Sequence, residues 1–546
     1  MALKVNPSTP AGIEVSQLSF AYPGGQNVLE DISFSVAPGT RVLLAGATGS
    51  GKSTLLSCLK PELAPVGTFA GQVFIDGLDT RDFNAQQSAG RIGFVMQDPQ
   101  QQIVMDIVKA ELAFGLENLG TPQDLMQRRV AEIANYFGIN AWVERSTSEL
   151  SGGEAQMVNL ASVIAMQPRT LLLDEPTAML DPIAAREFME LVERVNDELG
   201  ITVIVIEHKQ EDLLHSINQV LYLDGGRLAF DGRSEEFAAW LHDTEHFNYR
   251  ALPVATRLFF SQSSAEDRVE QTEIPLDVRE GRWWLWQRKQ ELVIPEAPLS
   301  AVESAPAILE ARHVWYRYGK ENRYVLKDLS LDVKQGRILG IVGGNASGKS
   351  TLLAVLSGIY KPHYGKVLRS TACRFSLLPQ DQSALFLRDS VLEDLMDHAR
   401  DFDYGEAEVE NLLVRMGLAD KRERHPLDLS GGEQQKLAMA KLLLIDSDVL
   451  LLDEPTKGLD SLALIDLRRI LKEESARGKT IVMVSHDLEF VAATSDECVM
   501  IFDGAEVGRA ATREFFIGNM FYTTALQRIT QGILADSPPV LGDWYE

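Results

Sequence analysis

One eight-residue pattern suited to binding phosphate occurs twice in the chain. Residues 46–53 read Gly-Ala-Thr-Gly-Ser-Gly-Lys-Ser, and residues 343–350 read Gly-Gly-Asn-Ala-Ser-Gly-Lys-Ser. Each copy follows a short apolar run and precedes a helix-forming stretch, which is the context of a phosphate-binding loop. Glycines let backbone N–H groups approach phosphate oxygens, the lysine neutralises the β- and γ-phosphates, and the serine hydroxyl ligates Mg²⁺. We therefore predict two phosphate sites, formed by Gly46, Gly49, Gly51, Lys52, Ser53 and Thr54, and by Gly343, Gly348, Lys349, Ser350 and Thr351.

A pair of acidic residues ends an apolar run at a matching position in each half of the chain. Three leucines precede Asp174 and Glu175, and three precede Asp453 and Glu454. A carboxylate at the end of a buried strand beside a phosphate loop can hold magnesium, so we assign that role to Asp174 and Asp453. The adjacent Glu175 and Glu454 can orient or deprotonate an attacking water.

Further polar residues stand at matching positions in the two halves. His208 and His486 end the next apolar run after the acidic pair, and their duplicated spacing favours contact with a γ-phosphate over an ordinary polar strand end. Gln97 and Gln380 are single polar residues after apolar runs, and they are candidates for contacting magnesium and water. Together with the acidic pairs, these residues predict two sites for hydrolysis of a phosphate bond.

The sequence Leu-Ser-Gly-Gly-Glu occurs at residues 150–154 and again at 429–433. Where such a turn opens a helix, its hydroxyl, its bare N–H groups and the positive end of the helix dipole form an anion site. Ser151 and Gly153 in the first copy, and Ser430 and Gly432 in the second, are therefore candidate phosphate contacts. On its own this turn would be no more than a helix cap, and its pairing with a phosphate loop gives it significance.

Composition excludes several classes of protein. The 546 residues include 45% hydrophobic and 24% charged residues, which are ordinary values for a folded globular chain. The net charge of −26 argues against binding to a nucleic-acid backbone. Three scattered cysteines exclude a disulfide framework and suit a reducing compartment. The first residues of the sequence lack the apolar core of a signal peptide, and the sequence contains no run of about 18 apolar residues, so we expect any membrane role to depend on a partner.

The repeated motifs predict two copies of one fold. Apolar runs such as residues 41–45 and 201–206 are typical of strands buried on both faces of a parallel α/β sheet. We place the two domains at residues 13–232 and 308–510, with a linker at 233–307 and a tail at 511–546. The second half has fewer residues between its phosphate loop and its glutamine, so we expect a trimmed β-subdomain there.

The linker combines prolines with an aromatic cluster. Pro295, Pro298 and Pro306, with alanines and serines between them, predict a flexible tether into the second domain. The tryptophans in residues 281–286 predict an amphipathic element that packs on the first domain, and the alternative is a patch that contacts a partner. The tail from residue 521 faintly echoes residues 252–257, which indicates a repeated small appendage.

Taken together, these motifs resemble two ATP-binding cassette (ABC) ATPase domains fused in one chain. The resemblance implies P-loop domains, each with a mostly parallel sheet core, an antiparallel β-subdomain and a helical subdomain, and it implies ATP and Mg²⁺ as ligands. In this family two domains pair head to tail around two ATP molecules, and here that pairing would be intramolecular. One site would combine the loop, acidic pair, glutamine and histidine of the first half with Ser430 and Gly432. The other would combine those of the second half with Ser151 and Gly153.

The resemblance also assigns residues outside these motifs. Tyr22 and Tyr318 match the aromatic residue that stacks on adenine, and Asp181 and Asp460 match acids of the loop that crosses the dimer interface. The Leu-Ser-Gly-Gly-Glu motifs end in glutamate where the family more often has glutamine. No catalytic residue is missing from either half, so we expect both sites to hydrolyse ATP.

Residues 94–103 and 111–120 are similar to ATPases of energy-coupling factor (ECF) transporters, and residues 275–282 resemble segments of fused double ATPases in that group. The resemblance implies a peripheral subunit on the cytoplasmic face of the cell membrane that drives import of vitamins, vitamin precursors or transition-metal ions. Its partners would be a transmembrane coupling subunit and a small substrate-binding membrane subunit. Asp98 and Asp106 are candidate docking residues, with solvated surface acids as the alternative.

Other functions stay open. The chain could serve another ABC importer, for peptides or sugars, or it could be a soluble tandem ABC translation factor. The latter needs a cationic surface for RNA and a charged helical arm, whereas this linker contains tryptophan and proline and the net charge is −26. No residue specifies the transported substrate. Resemblance slightly favours thiamine precursors, and import is favoured over export.

Overall fold

The computed structural model describes residues 12–178, 180–208, 210–263, 274–288, 305–319, 322–370, 373–534 and 537–542. These residues form two compact units, the first containing 12–256 with 274–277, and the second 257–263 with 278–542. Each unit contains one copy of the repeated motifs. Of the prolines assigned to the tether, Pro295 and Pro298 lie outside the described residues.

The first unit contains a mostly parallel sheet and an antiparallel sheet. Its strands are β1 (Ile13–Ala21), β2 (Asn27–Val36), β3 (Arg41–Gly46), β4 (Thr68–Ile75), β5 (Leu78–Asp79), β6 (Ile92–Val95), β7 (Thr170–Asp174), β8 (Thr202–Ile206), β9 (Gln219–Asp224) and β10 (Arg227–Gly232). The larger sheet has the order β10-β9-β3-β8-β7-β6, and only β9 and β10 pair antiparallel. The smaller sheet has the order β2-β1-β4-β5. Every residue of β8 is buried, which explains its uninterrupted apolar sequence.

Helices connect these strands and form a separate helical subdomain. Their bounds are Lys52–Cys58, Ala85–Ala89, Val108–Asn118, Gln123–Tyr136, Gly152–Ala165, Pro182–Leu199 and Ser234–Asp243. Local sequence sets where the long helix after β7 begins and ends. The Asp181 side chain accepts hydrogen bonds from the N–H groups of Ile183 and Ala184, and Gly200 ends the helix with φ 65°.

The second unit repeats this plan. Its strands are β11 (Ala307–Tyr316), β12 (Leu326–Lys334), β13 (Ile338–Val342), β14 (Tyr364–Arg369), β15 (Phe375–Leu378), β16 (Val449–Asp453), β17 (Thr480–Val484), β18 (Glu497–Phe502) and β19 (Ala505–Ala511). The main sheet has the order β15-β16-β17-β13-β18-β19, parallel except between β18 and β19. The predicted α/β architecture, with a mostly parallel sheet and an antiparallel sheet in each half, is confirmed.

The antiparallel sheet is smaller in the second unit, as predicted. It has the order β12-β11-β14, and residues 370–374 alone separate β14 from β15, whereas residues 76–91 separate β4 from β6. The helices of this unit after β13 are Lys349–Ser357, Val391–Met396, Ala399–Phe402, Glu406–Arg415, Gly431–Leu444, Ser461–Ala476, Leu488–Thr494, Thr512–Gly518 and Ala525–Thr530. None of the helices in the described parts of the chain is long and apolar enough to cross a membrane.

The aromatic segment forms the helix Val278–Arg288, which belongs to the second unit. Its Trp284 is buried with its ring 5.6 Å from that of Phe259, whereas Trp283 and Trp286 are 62% and 56% exposed and stack on each other. The prediction that these tryptophans pack on the first domain is therefore wrong. Residues three apart share a helix face, so Trp283 and Trp286 point away from the face that buries Trp284.

Candidate nucleotide sites

The first phosphate loop connects β3 to the helix Lys52–Cys58, and glycine is required at its two ends. Gly46 has φ 149° and a Cβ there would lie 2.4 Å from the Leu223 carbonyl oxygen, while Gly51 has φ 99° at the helix N-cap. Lys52 is buried, and its Nζ donates to the carbonyl oxygens of Gly46 at 2.9 Å and Ala47 at 2.8 Å. The loop therefore curls around the ammonium group, which is the geometry of a glycine-rich loop that can bind phosphate.

The second loop repeats this geometry in detail. Gly343 has φ 154°, and a Cβ there would lie 2.3 Å from the Ile501 carbonyl oxygen, while Gly348 at the N-cap has φ 100°. Lys349 Nζ donates to the carbonyl oxygens of Gly343 at 2.9 Å and Gly344 at 2.8 Å. The two sequence copies thus form loops of the same geometry, as the repeat predicted.

The serine after each lysine lies beside the aspartate that ends β7 or β16. Ser53 Oγ donates to Asp174 Oδ1 at 3.0 Å. Asp453 is buried, and its Oδ1 has no hydrogen-bond partner within the described residues. A hydroxyl beside a buried carboxylate is the hard oxygen donor set that Mg²⁺ prefers, so these residues fit a magnesium ion.

The electrostatics of Asp174 and Asp453 also favour the binding of magnesium. Burial raises the pKa of Asp174 to about 6, and the charge of Glu175 adds to this, while Ser53 and Lys52 oppose it. Burial also raises the pKa of Asp453 against the opposing effects of Ser350 and Lys349. A buried carboxylate that resists ionisation is stabilised by a nearby cation.

Two predicted side chains of the first half, those of His208 and Gln97, contact Glu175. Its Oε1 lies 2.9 Å from His208 Nε2, and its Oε2 accepts a hydrogen bond from Gln97 Nε2 at 2.9 Å. Burial alone would raise the pKa of Glu175, but the hydrogen bond and charge of His208, with Lys52, lower it below the ordinary value. An ionised glutamate held this way is suited to accept a proton from water.

The backbone at this glutamate is strained in both halves, since Glu175 has φ 44° and Glu454 has φ 53°. Non-glycine residues in this region cost energy and are found where the surrounding structure fixes a functional side chain. In the second half His486 Nε2 lies 3.2 Å from Glu454 Oε1, and the His486 N–H donates to Glu454 Oε2 at 3.1 Å. No hydrogen bond joins Gln380 to Glu454 in the described part of the chain, so the two halves differ at this point.

The predicted adenine-stacking residues lie next to the phosphate loops. The Tyr22 hydroxyl lies 3.2 Å from Thr54 Oγ1, and the Tyr318 hydroxyl lies 2.8 Å from Thr351 Oγ1. Both tyrosine rings are exposed. Each half therefore presents an aromatic face beside a phosphate cradle, which is the arrangement that a nucleotide base and its phosphates need.

The Ser-Gly-Gly motifs begin the helices Gly152–Ala165 and Gly431–Leu444. Ser151 Oγ accepts from the Glu154 N–H at 3.3 Å, and Glu154 Oε2 accepts from the Ser151 N–H at 2.8 Å. Ser430 and Glu433 form the same capping box. A glutamine could form the same box, so the charge of the glutamate matters for its ion pairs, with Arg145 at 2.9 Å in the first half and with Lys421 at 3.7 Å in the second.

The remaining predicted residues have local structural contacts. Asp98 Oδ1 accepts from the Gln100 N–H and caps a short turn, while Asp106 is exposed. Asp181 and Asp460 cap the helices that follow the acidic pairs. Sequence reasoning missed Glu207: the sequence shows an acid between an apolar run and His208, but its burial is seen only in the structure.

Comparisons with known proteins agree with this geometry. A family model described as ABC transporter matches residues 29–178 and 326–457. A Bacillus anthracis protein described as an ABC transporter ATP-binding protein is 39% identical over 532 residues, which are 95% of each chain. Bacillus subtilis YkoD, described as an HMP/thiamine import ATP-binding protein, is 31% identical over 508 residues and 90% of each chain.

A tandem fold of the same kind is known from solved structures. The archaeal ribosome recycling factor aABCE1, in its complex with the ribosomal stalk protein aP1, matches with a TM-score of 0.58 and 21% identity. The match covers 92% of this chain and 91% of that one. At this level of identity the likeness shows the fold alone.

Proposed function

We propose a transport function on one premise: this chain belongs to the ABC transporter family and is an ATPase. It energises a membrane importer of the ECF type, which takes up a vitamin, a vitamin precursor or a transition-metal ion. The observation that carries this proposal is the likeness to YkoD, which extends over 90% of both chains and therefore includes both halves. Because YkoD is described as an HMP/thiamine import protein, a thiamine precursor is the favoured substrate.

Each half supplies one set of hydrolytic residues. Ser53, Gln97 and Asp174 would hold magnesium in the first half, with Ser350, Gln380 and Asp453 as their counterparts. Bound magnesium would neutralise charge on the β- and γ-phosphates. Glu175 and Glu454 accept the proton of the attacking water, and His208 and His486 contact the γ-phosphate.

Both ATP sites are composite in this proposal. Ser430 and Gly432 complete the site of Lys52, and Ser151 and Gly153 complete the site of Lys349. The positive end of each helix that the Ser-Gly-Gly motif opens then faces phosphate. Closure on ATP and reopening after hydrolysis would drive the membrane subunits.

The segments after Gln97 and Gln380 receive the transmembrane coupling subunit. Val104 and Leu387 lie in these segments and are 64% and 70% exposed, although both are large apolar residues. Exposed apolar side chains rimmed by polar ones mark protein interaction sites. The chain acts at the cytoplasmic face of the membrane through this contact, with Asp98 and Asp106 at its edge.

A second candidate is a soluble tandem factor that acts on ribosomes, since the recycling factor has the same tandem fold, although a shared fold does not by itself indicate that function. The net charge of −26 opposes this function because ribosome binding requires contact with RNA phosphates. An ATPase of a peptide or sugar importer is the other alternative, and it would share the membrane partner but differ in cargo.

A tagged copy of the full chain, purified from detergent-solubilised membranes of the native host, tests this proposal. Mass spectrometry should recover a transmembrane coupling subunit and a small, very hydrophobic membrane protein. Val104→Glu combined with Leu387→Glu should lose both partners, whereas Val66→Glu, which changes an exposed valine elsewhere, should keep them. Recovery of ribosomal proteins without a membrane partner would contradict the proposal.

A further inference from the structure

A buried carboxylate links the two segments that carry the catalytic glutamate and the histidine of the first half. Glu207 follows β8, directly precedes His208, and is only 7% exposed. Its Oε1 accepts hydrogen bonds from the Thr177 N–H at 3.0 Å and from Thr177 Oγ1 at 2.8 Å. Thr177 lies two residues after Glu175, in the turn that follows β7.

The second half has a different residue at this position. Ser485 takes the place of Glu207, and its Oγ lies 2.8 Å from Thr456 Oγ1. The same Ser485 hydroxyl accepts a hydrogen bond from the Asp487 N–H at 3.0 Å. In the second half, the two segments are therefore linked by a neutral contact between hydroxyl groups. In the first half, a carboxylate accepts hydrogen bonds from two donors of one threonine.

We propose that Glu207 is a positioning residue for ATP hydrolysis, which fixes the Thr177 turn against the His208 segment and so holds Glu175 and His208 in contact. The neutral Ser485 link holds its half less firmly, and the two ATP sites are functionally unequal. This inference rests on ATP hydrolysis by the chain and is independent of the transported substrate.

The burial of Glu207 and the strained backbone of Glu175 support this role. A buried carboxylate without partners is costly, and truncating it would leave the Thr177 N–H without its acceptor. Burial raises the pKa of Glu207 to about 7, and the charge of Glu175 adds to this, while the hydrogen bonds from Thr177 and the charge of His208 oppose it. The strained backbone of Glu175, with φ 44°, also needs its neighbouring turn to be held in place.

Steady-state ATPase kinetics of the full chain test the proposal. Glu207→Ser should lower kcat by about fivefold or more, the loss expected for a buried hydrogen-bonded pair, and should leave KM for ATP within about twofold because the phosphate loop is untouched. Glu207→Gln should restore most of kcat, since its amide oxygen can still accept both Thr177 donors. A kcat unchanged in Glu207→Ser, or no rescue by glutamine, would overturn the assignment.

A structural measurement on the ATP-free chain separates positioning from general stability. Hydrogen exchange at the peptide that contains Thr177 should be faster in Glu207→Ser and close to wild type in Glu207→Gln. Ser485→Ala is the matched control in the second half, and it should change kcat by less than about twofold. Equal losses in Glu207→Ser and Ser485→Ala would overturn the inequality of the sites. A lower melting temperature with unchanged kcat and unchanged exchange at Thr177 would make Glu207 merely structural.

Discussion

Glu175 and His208 are in direct contact, with 2.9 Å between the carboxylate Oε1 and the imidazole Nε2. The same pair recurs as Glu454 and His486 at 3.2 Å. In both halves the glutamate directly follows a buried strand and the histidine follows the neighbouring strand, so parallel pairing of the strands brings them to one edge of the sheet. This edge is where each half places its phosphate loop.

Removal of both candidate bases should separate binding from hydrolysis. Glu175→Gln combined with Glu454→Gln keeps the size of the side chains and the phosphate loops, so ATP should bind with near-normal affinity. Turnover should fall by about 100-fold or more, since general-base catalysis contributes on this scale. Nucleotide binding and phosphate release measured on the same preparation check this, and near-normal turnover would reject these glutamates as bases.

The two loop lysines should each support nucleotide binding at one site. Lys52→Ala and Lys349→Ala remove an ammonium group around which the loop curls, so each should weaken ATP binding by about tenfold or more. Binding of a fluorescent ATP analogue measures this. Lys361→Ala, which changes an exposed lysine of the second half, is the control and should bind normally. Normal ATP binding in both loop variants would contradict the assignment of these loops as phosphate-binding sites.

Stability without metal should depend on pH through Asp174. Its pKa is raised to about 6, so the folded chain binds this proton more tightly than the unfolded chain. The stabilising effect of protonated Asp174 is therefore lost as the pH rises from the ordinary pKa of an aspartate towards 6. Above pH 6 the buried charge of Asp174 lowers the stability of the folded chain by its full amount. In EDTA, Asp174→Asn should raise the melting temperature at pH 8 more than at pH 5. An equal gain at both pH values would contradict this.

The helices Val254–Gln262 and Ala525–Thr530 should be anchored equally at their first turns. Glu211 Oε2 accepts from the Val254 N–H at 2.8 Å, and Glu489 Oε1 accepts from the Ala525 N–H at 2.7 Å. Each glutamate stands three residues after the histidine of its half. Glu211→Ala and Glu489→Ala should each cost about 1 kcal/mol of stability, and glutamine at either position should recover most of it. Thermal unfolding checks both, and a loss in one half alone would show that the anchors differ.

Much of the candidate site could be predicted from the repeat. The loop that carries Lys52 follows an apolar run, as do Asp174 and His208, and in a parallel sheet the ends of such runs share one edge. The smaller antiparallel sheet of the second half could be predicted from the shorter segment between its phosphate loop and its glutamine. These features depend on local pattern and spacing, which a sequence displays directly.

Other features depend on tertiary contacts that pattern does not encode. Glu207 gains its significance from Thr177, which lies on a neighbouring segment of the fold. The packing of Trp284 against Phe259 in the second unit depends on where the helix Val278–Arg288 docks, and composition could not indicate this. The sequence motifs of the two halves are equally complete, so the different surroundings of Gln97 and Gln380 were also hidden.

The most direct test of the transport function is ATP-driven uptake by the reconstituted complex. The chain and its co-purified membrane partners would be placed in vesicles and supplied with thiamine, a thiamine precursor and divalent transition-metal ions in turn. We predict ATP-dependent accumulation of one of these solutes, which is lost when Glu175→Gln and Glu454→Gln are combined. ATP hydrolysis without accumulation of any of them would contradict an ECF-type importer.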